Sequence, residues 1–175
     1  ISGQSRLNAN AKSPISGGIG DSQSGGFFPA ELKFAGFDGI VVKGKSSKPV
    51  YLAILNGTPE LRDAAHLMGK LTGEVDDILH KEVDPKAEIL QHGPGAENGV
   101  LFSTLVSMSS RHNGRTGMGP VMASKNVKGA VVRGARKVEK ISNMHPCEEA
   151  RTCRSLRSMM VSKISGARPS RSAAS

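Results

Sequence analysis

The chain has 175 residues, enough for one domain with a real core, and holds no apolar run near the about 18 residues that a membrane helix needs. Its formal charge is +9, which raises nucleic acid as a partner, yet aromatic residues make up only 3% and tryptophan is absent, so base-stacking platforms are scarce. Cys147 and Cys153 are the only cysteines, and their C-x5-C spacing matches no zinc or redox motif, which leaves two free thiols in a reducing, cytoplasmic setting. The first residue is Ile1, so an upstream segment is expected.

Residues 1–26 are polar and rich in Gly, Ser and Asn, with Ser13-Pro14 as a turn signal. Residues 27–36 read as a short helix, with Pro29 in its first turn, Leu32, Phe34 and Ala35 as apolar positions, and Gly36 to close it. Residues 40–42 and 50–55 are β-rich and are separated by Lys45-Ser46-Ser47-Lys48-Pro49, the pattern of a hairpin connection. Residues 71–83 read as an amphipathic helix with Thr72 as N-cap and Val75, Ile78, Leu79 and Val83 at helical spacing. Asp76 and Asp77 fall on its solvated side. Residues 88–90 and 100–106 are strand candidates around the turn His92-Gly93-Pro94-Gly95. A short helix over 120–126 and a strand over 130–132 follow.

One pattern occurs twice. Gly39-Ile40-Val41-Val42-Lys43-Gly44 recurs as Gly129-Ala130-Val131-Val132-Arg133-Gly134. Each copy follows a short helix, and each helix follows a glycine-rich polar loop. The helix and strand match at offsets of 91 and 90, so the pattern is either a duplication with a one-residue slip or chance similarity of two short strands. The expected architecture is α+β, a β-rich domain of two related halves with short helices over residues 1–140. Residues 141–175 form a separate Ser/Arg-rich tail with six basic and two acidic residues, which reads as disordered or as a sequence out of register with the domain.

Gly39-x4-Gly44-Lys45-Ser46 matches a P-loop literally but in the wrong setting. Its middle residues are strand formers and another strand follows, where phosphate wrapping needs a flexible loop leading into a helix. The two glycine-rich loops are better anion sites, because glycine admits close backbone approach and each precedes a helix start. Arg111 and Arg115 flank the second loop; Arg6 and Lys12 precede the first. Composition alone leaves ordinary surface loops equally open. His112 stands alone in its loop, and His66, His80, His92 and His145 show no metal-ligand spacing. No carboxylate dyad and no G-x-S-x-G elbow is present. The chain reads as a binding platform without a catalytic machine.

Several stretches resemble the N-terminal domain of tungsten-containing aldehyde ferredoxin oxidoreductases. They are Ser5-Arg6-Leu7-Asn8, Ser24-Gly25-Gly26-Phe27-Phe28, Glu31-Leu32-Lys33-Phe34-Ala35-Gly36-Phe37-Asp38, Gly93-Pro94-Gly95-Ala96-Glu97-Asn98, and the run from Arg111 to Asn126. The resemblance covers roughly residues 3–135. It implies oxidation of an aldehyde to a carboxylic acid on tungsten held by two pterin dithiolenes, with electrons leaving through a [4Fe–4S] cluster to ferredoxin. It also implies a magnesium ion bridging the two pterin phosphates. Carried over residue by residue, Arg6, Gln23, Gly25, Arg111, His112 and Gly114 would contact the cofactor. Gln23 and the main-chain carbonyl of His112 would serve magnesium. Gln23 departs from the family's asparagine by one methylene, and magnesium demands tight octahedral geometry. The cluster cysteines and the proton-transfer residues of the family have no counterpart here, so the chain reads as part of a longer enzyme, inactive alone. Two other readings stand beside this one: a non-catalytic phosphate- or pterin-binding module, and a basic nucleic-acid-binding protein.

Overall fold

A computed structural model describes residues 6–135 and the strand Met159–Val161. Cys147, Cys153 and the rest of the expected tail lie outside the described residues. The architecture is α+β, as expected: mixed sheets with a few short helices. The strands are β1 (Leu7–Lys12), β2 (Ile19–Ser24), β3 (Ile40–Val42), β4 (Val50–Leu55), β5 (Thr58–Asp63), β6 (Glu88–His92), β7 (Leu105–Ser107), β8 (Arg111–Asn113), β9 (Val127–Arg133) and β10 (Met159–Val161). The helices are α1 (Phe28–Phe34), α2 (Thr72–Glu82), α3 (Pro94–Glu97) and α4 (Met118–Ser124). No described helix is long and apolar enough to cross a membrane.

Six strands form the main sheet in the order β5-β4-β9-β6-β7-β8. Only β4 and β9 run parallel in it. β4 is apolar at every position, Val-Tyr-Leu-Ala-Ile-Leu, because both faces of the sheet are covered. Leu52 and Ile54 join a core with Phe28, Leu32, Leu90, Leu105, Met118 and Val132 beneath α1 and α4. Tyr51 and Ala53 join Val75, Leu79, Ile89 and Val131 beneath α2 on the other face. Glu31 of α1 clasps the end of the sheet: its Oε1 accepts the Arg133 guanidinium at 2.6 Å and the Gly134 N–H at 2.9 Å.

The expected hairpin between residues 40–42 and 50–55 does not form. β3 pairs in parallel with β10, outside the main sheet, and β4 pairs with β5 instead. Asn56-Gly57 makes that turn with φ of 50° and 89°, the two positive values a type I′ turn needs. Ser46, assigned to the connection, is held elsewhere: its N–H donates to Lys125 O and its carbonyl accepts from Asn126 Nδ2.

Other boundaries move for local reasons. Leu71, not Thr72, is the N-cap of α2, since the Glu74 carboxylate takes the Leu71 N–H at 2.9 Å. The turn after His92 becomes α3, with Pro94 at its first position. The strand expected over 100–106 begins only at Leu105, because Val100 and Ser103 are tied into turns through Gly95 O and Val100 O. α4 starts two residues before Pro120, at Met118. The polar stretch before residue 26 is largely a hairpin of β1 and β2 around Ser13-Pro14. The two strands of the sequence repeat occupy different places: β9 lies inside the main sheet and β3 outside it.

The hairpin, α1 and α4 leave a cleft of about 640 Å³ over the first core. Its floor is Phe28, Leu32, Leu52, Leu90, Leu105 and Met118, and exposed Arg6, Asn8 and Asn10 stand on its rim. At about 24 cal/mol per Å³, a closed void of this size would cost on the order of 15 kcal/mol, the whole stability of a domain.

Candidate functional site

The two glycine-rich stretches meet. β2 lies against β8, joined to it by two buried hydrogen bonds and to the residues just beyond it by a half-buried third. Ser24 Oγ donates to Asn113 Oδ1 at 3.0 Å, Asn113 Nδ2 donates to Ser22 O at 2.8 Å, and the Arg115 N–H donates to Ser22 Oγ at 3.0 Å. Asn113 is fully buried, so both ends of its amide depend on these partners. β2 alternates strictly, with Gly20, Ser22 and Ser24 inward and Ile19, Asp21 and Gln23 outward. The inward side chains are small and polar, which lets the backbones of the two loops approach closely.

That contact gathers the expected site residues at one end of the hairpin. Gln23 is exposed on β2, opposite Asn8 of β1. Gly25 follows β2 and is half-buried. Leu7 pairs with Ser24, which brings exposed Arg6 alongside Gly25. Arg111 and His112 are exposed on β8, and Gly114 is exposed just beyond it. His112 is not left loose: its Nδ1 lies 3.1 Å from Thr104 Oγ1. Gly26 has φ of 114°, and a Cβ there would meet Met108, Arg111 and Ser107 at 3.1–3.4 Å. Gly117, the N-cap of α4, has φ of 72°, and a Cβ would stand 2.2 Å from Leu101 O. Both glycines are set by geometry that other residues cannot share.

α1 and α4 are seven residues each, and neither has a side-chain cap. So short a helix adds little dipole, and charge for an anion comes instead from Arg6, Arg111 and Arg115. Beneath the Gly26 turn, buried Ser107 Oγ has no partner. A guanidinium-rich, glycine-walled surface with an amide at Gln23 fits phosphate groups and a hard cation between them. Among the described residues there is no cluster of three or more His, Cys, Asp or Glu for a metal, so a cation here would rest on amide, carbonyl and phosphate oxygens. The P-loop-like stretch is extended around β3 with no helix after it.

Some residues with strong environments gave no sequence signal. Lys128 is buried on β9 and pairs with Glu97 at 2.5 Å; Glu97 Oε2 also takes the Gly69 N–H at 2.7 Å. His92 lies beside them, 3.8 Å from Glu97, with its ring nitrogens 3.2 Å from Gly93 O and 3.1 Å from Val127 O. Burial pushes the His92 imidazole below its usual range, with the neighbouring Lys128 charge adding to the effect. Asp76, expected to be solvated, accepts Gln91 Nε2 at 2.8 Å and the Ser109 hydroxyl, so it ties α2 to β6 and to the second loop. On the far face, burial raises the Tyr51 phenol, whose hydroxyl donates to Glu82.

Comparison with known proteins identifies the family. Residues 1–134 match the family model for the aldehyde ferredoxin oxidoreductase N-terminal domain. The chain is 46% identical over 134 residues to the tungsten-containing aldehyde ferredoxin oxidoreductase of Pyrococcus furiosus, covering 76% of this chain and 22% of that protein. It is 36% identical over 138 residues to the aliphatic sulfonate oxidoreductase, WOR-like subunit, of the same organism, covering 71% and 22%. Among solved structures, the active site complex BamBC of benzoyl coenzyme A reductase, in complex with 1,5 dienoyl-CoA, superimposes with a TM-score of 0.76 at 37% identity, over 79% of this chain and 21% of that one. The chain thus spans about a fifth of the length of the relatives it matches. On the match of 134 of its 175 residues, the chain belongs to the aldehyde ferredoxin oxidoreductase family, in which it represents the N-terminal domain.

Proposed function

We propose that the chain is the cofactor-seating part of an oxidoreductase that converts aldehydes to carboxylic acids and passes the electrons to ferredoxin. The observation that carries this is the meeting of the two glycine-rich stretches through Ser22, Ser24 and Asn113. It brings Arg6, Gln23, Gly25, Arg111, His112 and Gly114 to one surface. Arg111 would hold a phosphate arm of a tungsten bis-pterin and Arg6 would stand between the pterin and the iron–sulfur cluster, with Gly25 and Gly114 admitting close backbone approach. The Gln23 amide and the His112 carbonyl would face the bridging magnesium. When bound, the tungsten bis-pterin supplies the two-electron oxidation of the aldehyde. The [4Fe–4S] cluster and the proton-transfer groups belong to the remainder of the enzyme, so the 175-residue chain alone does not turn over aldehyde.

The test is a chimera in which residues 1–134 replace the matched section of the Pyrococcus furiosus relative. Tungsten and pterin content per polypeptide are measured after expression with tungstate. Arg111→Ala is expected to lower both at least several-fold, and Gln23→Asn to retain them. Full loading of the Arg111→Ala chimera would sink the assignment. Tungsten and pterin retained by the 175-residue chain alone would favour an autonomous pterin-binding module.

A further inference from the structure

The connection between β7 and β8 takes a conformation that its sequence does not favour. Met108 and Ser109 have φ of 52° and 50°, and the Ser110 N–H donates to Ser107 O at 3.2 Å to close the turn. Two successive left-handed residues suit Asn-Gly or Asp-Gly, yet neither glycine, asparagine nor aspartate stands here. Such a turn persists only where its surroundings hold it. Two contacts do so, one from α2 and one from the stretch leading into α1, which cover opposite faces of the main sheet. From α2, one carboxylate oxygen of Asp76 accepts the Ser109 hydroxyl, while the other accepts the Nε2 of buried Gln91 at 2.8 Å. From the first glycine-rich stretch, the Phe27 N–H donates to Met108 Sδ at 3.3 Å. A Cβ on Gly26 would stand 3.1 Å from that sulfur and 3.3 Å from Arg111 Cγ, so Gly26 rests against both side chains.

We propose that Asp76 is a positioning residue for the cofactor seat: it holds Ser109, and with it the left-handed turn that sets Met108 against Gly26 and leads Arg111 into β8. Asn113 anchors the far end of β8 to β2, and Asp76 fixes its near end. Were the turn to relax to negative φ, the start of β8 would swing and Met108 Sδ would leave the Phe27 N–H. Arg111, the first residue of β8, would then lose its place beside Gly26. Asp76 acts only through this turn, since α2 lies beneath the other face of the sheet. The inference deepens the cofactor reading and rests on it.

Two measurements test it together. NMR on the 175-residue chain reads the turn without cofactor, because positive φ brings the amide and α protons of Met108 close and gives a strong cross-peak. Tungsten and pterin content per folded chimera reads the seat. Ser109→Ala removes the hydroxyl but keeps the Cβ, and Asp76→Ala removes its acceptor. Both are expected to lose the strong Met108 cross-peak and to lower tungsten and pterin at least several-fold. Ser109→Ala leaves the bond between Asp76 and Gln91 intact, so it serves where Asp76→Ala does not fold. Ser109→Gly, alone or added to Asp76→Ala, is expected to keep the cross-peak and the loading, since glycine enters this conformation unaided. Leu79→Ala, which weakens the core beneath α2 away from the turn, is expected to lower stability and leave both readouts unchanged. The proposal is overturned if the alanine variants keep the cross-peak and load fully while Arg111→Ala stays empty. It is overturned too if Leu79→Ala empties the chimera as they do, or if the glycine variants fail to restore loading. Full loading of Arg111→Ala would instead remove the cofactor reading, and this inference with it.

Discussion

The two sides of the β1–β2 hairpin are built on opposite principles. Toward β8 it is tied by hydrogen bonds among Ser22, Ser24, Asn113 and Arg115, those of Asn113 fully buried. Toward α1 and α4 it leans over apolar groups and leaves space. The tied side fixes where two loops stand relative to each other, because every buried polar atom there must find its partner. The open side fixes little, because apolar contact is non-directional and a missing neighbour only lowers the area buried. A small domain can thus present a tied polar surface beside a core that, among the described residues, stays open on one side.

Substitutions sharpen that contrast. Gly117→Ala should do most harm, about 3 kcal/mol or more by urea unfolding, since it combines positive φ with a Cβ against Leu101 O. Near-neutral behaviour would mean the α4 entry is loose. Asn113→Leu should cost about 2–4 kcal/mol, because Ser22 O and Ser24 Oγ lose their buried partner. If it unfolds at the wild-type urea midpoint, the polar tie does not set stability. On the open side, Ala130→Leu should stabilise the 175-residue chain by about 1 kcal/mol, since Ala130 borders unfilled space. The same change at Ala53, in the packed core beneath α2, should cost about 1–3 kcal/mol. Equal signs at the two alanines would erase the distinction.

The smallest effect concerns pH. Burial holds the folded His92 below the ordinary imidazole value of about 6.5, so the unfolded chain binds the proton first. Stability is therefore intact above 6.5 and falls as pH drops below it toward the folded value. Urea midpoints taken between pH 7.5 and 5 should decline, and His92→Gln should flatten that limb. Lys128 and Glu97 are the charged groups facing the ring, and an unchanged limb in the variant would move the effect to them.

Strong periodicity made α2, β4 and β9 legible, since their apolar positions recur at helical spacing or in unbroken runs. β2 was not, because its buried positions are Gly, Ser and Ser, and alternation without apolar residues looks like a loop. The β4–β5 turn was written in Asn56-Gly57, but the Pro49 stretch is an equally good local signal, and the partner of β4 is decided by tertiary packing. The candidate site was legible as two loops with arginines. The amide that joins them was not, since nothing in Arg111-His112-Asn113-Gly114 says which side chain turns inward. Asp76 and Lys128 failed for the opposite reason: charged residues default to solvent, and their partners lie far along the chain.

The clasp of Glu31 on Arg133 and Gly134 spans about a hundred positions of chain. β9, which holds the middle of the sheet, is also the last of its strands to be made. During synthesis, α1 and β4 must therefore wait for nearly the whole domain before their contacts close, so the ribosome-bound chain keeps apolar strands uncovered until that moment. A ribosome stalled before residue 127 would expose β4 without its parallel neighbour, making this stretch a natural client for chaperones.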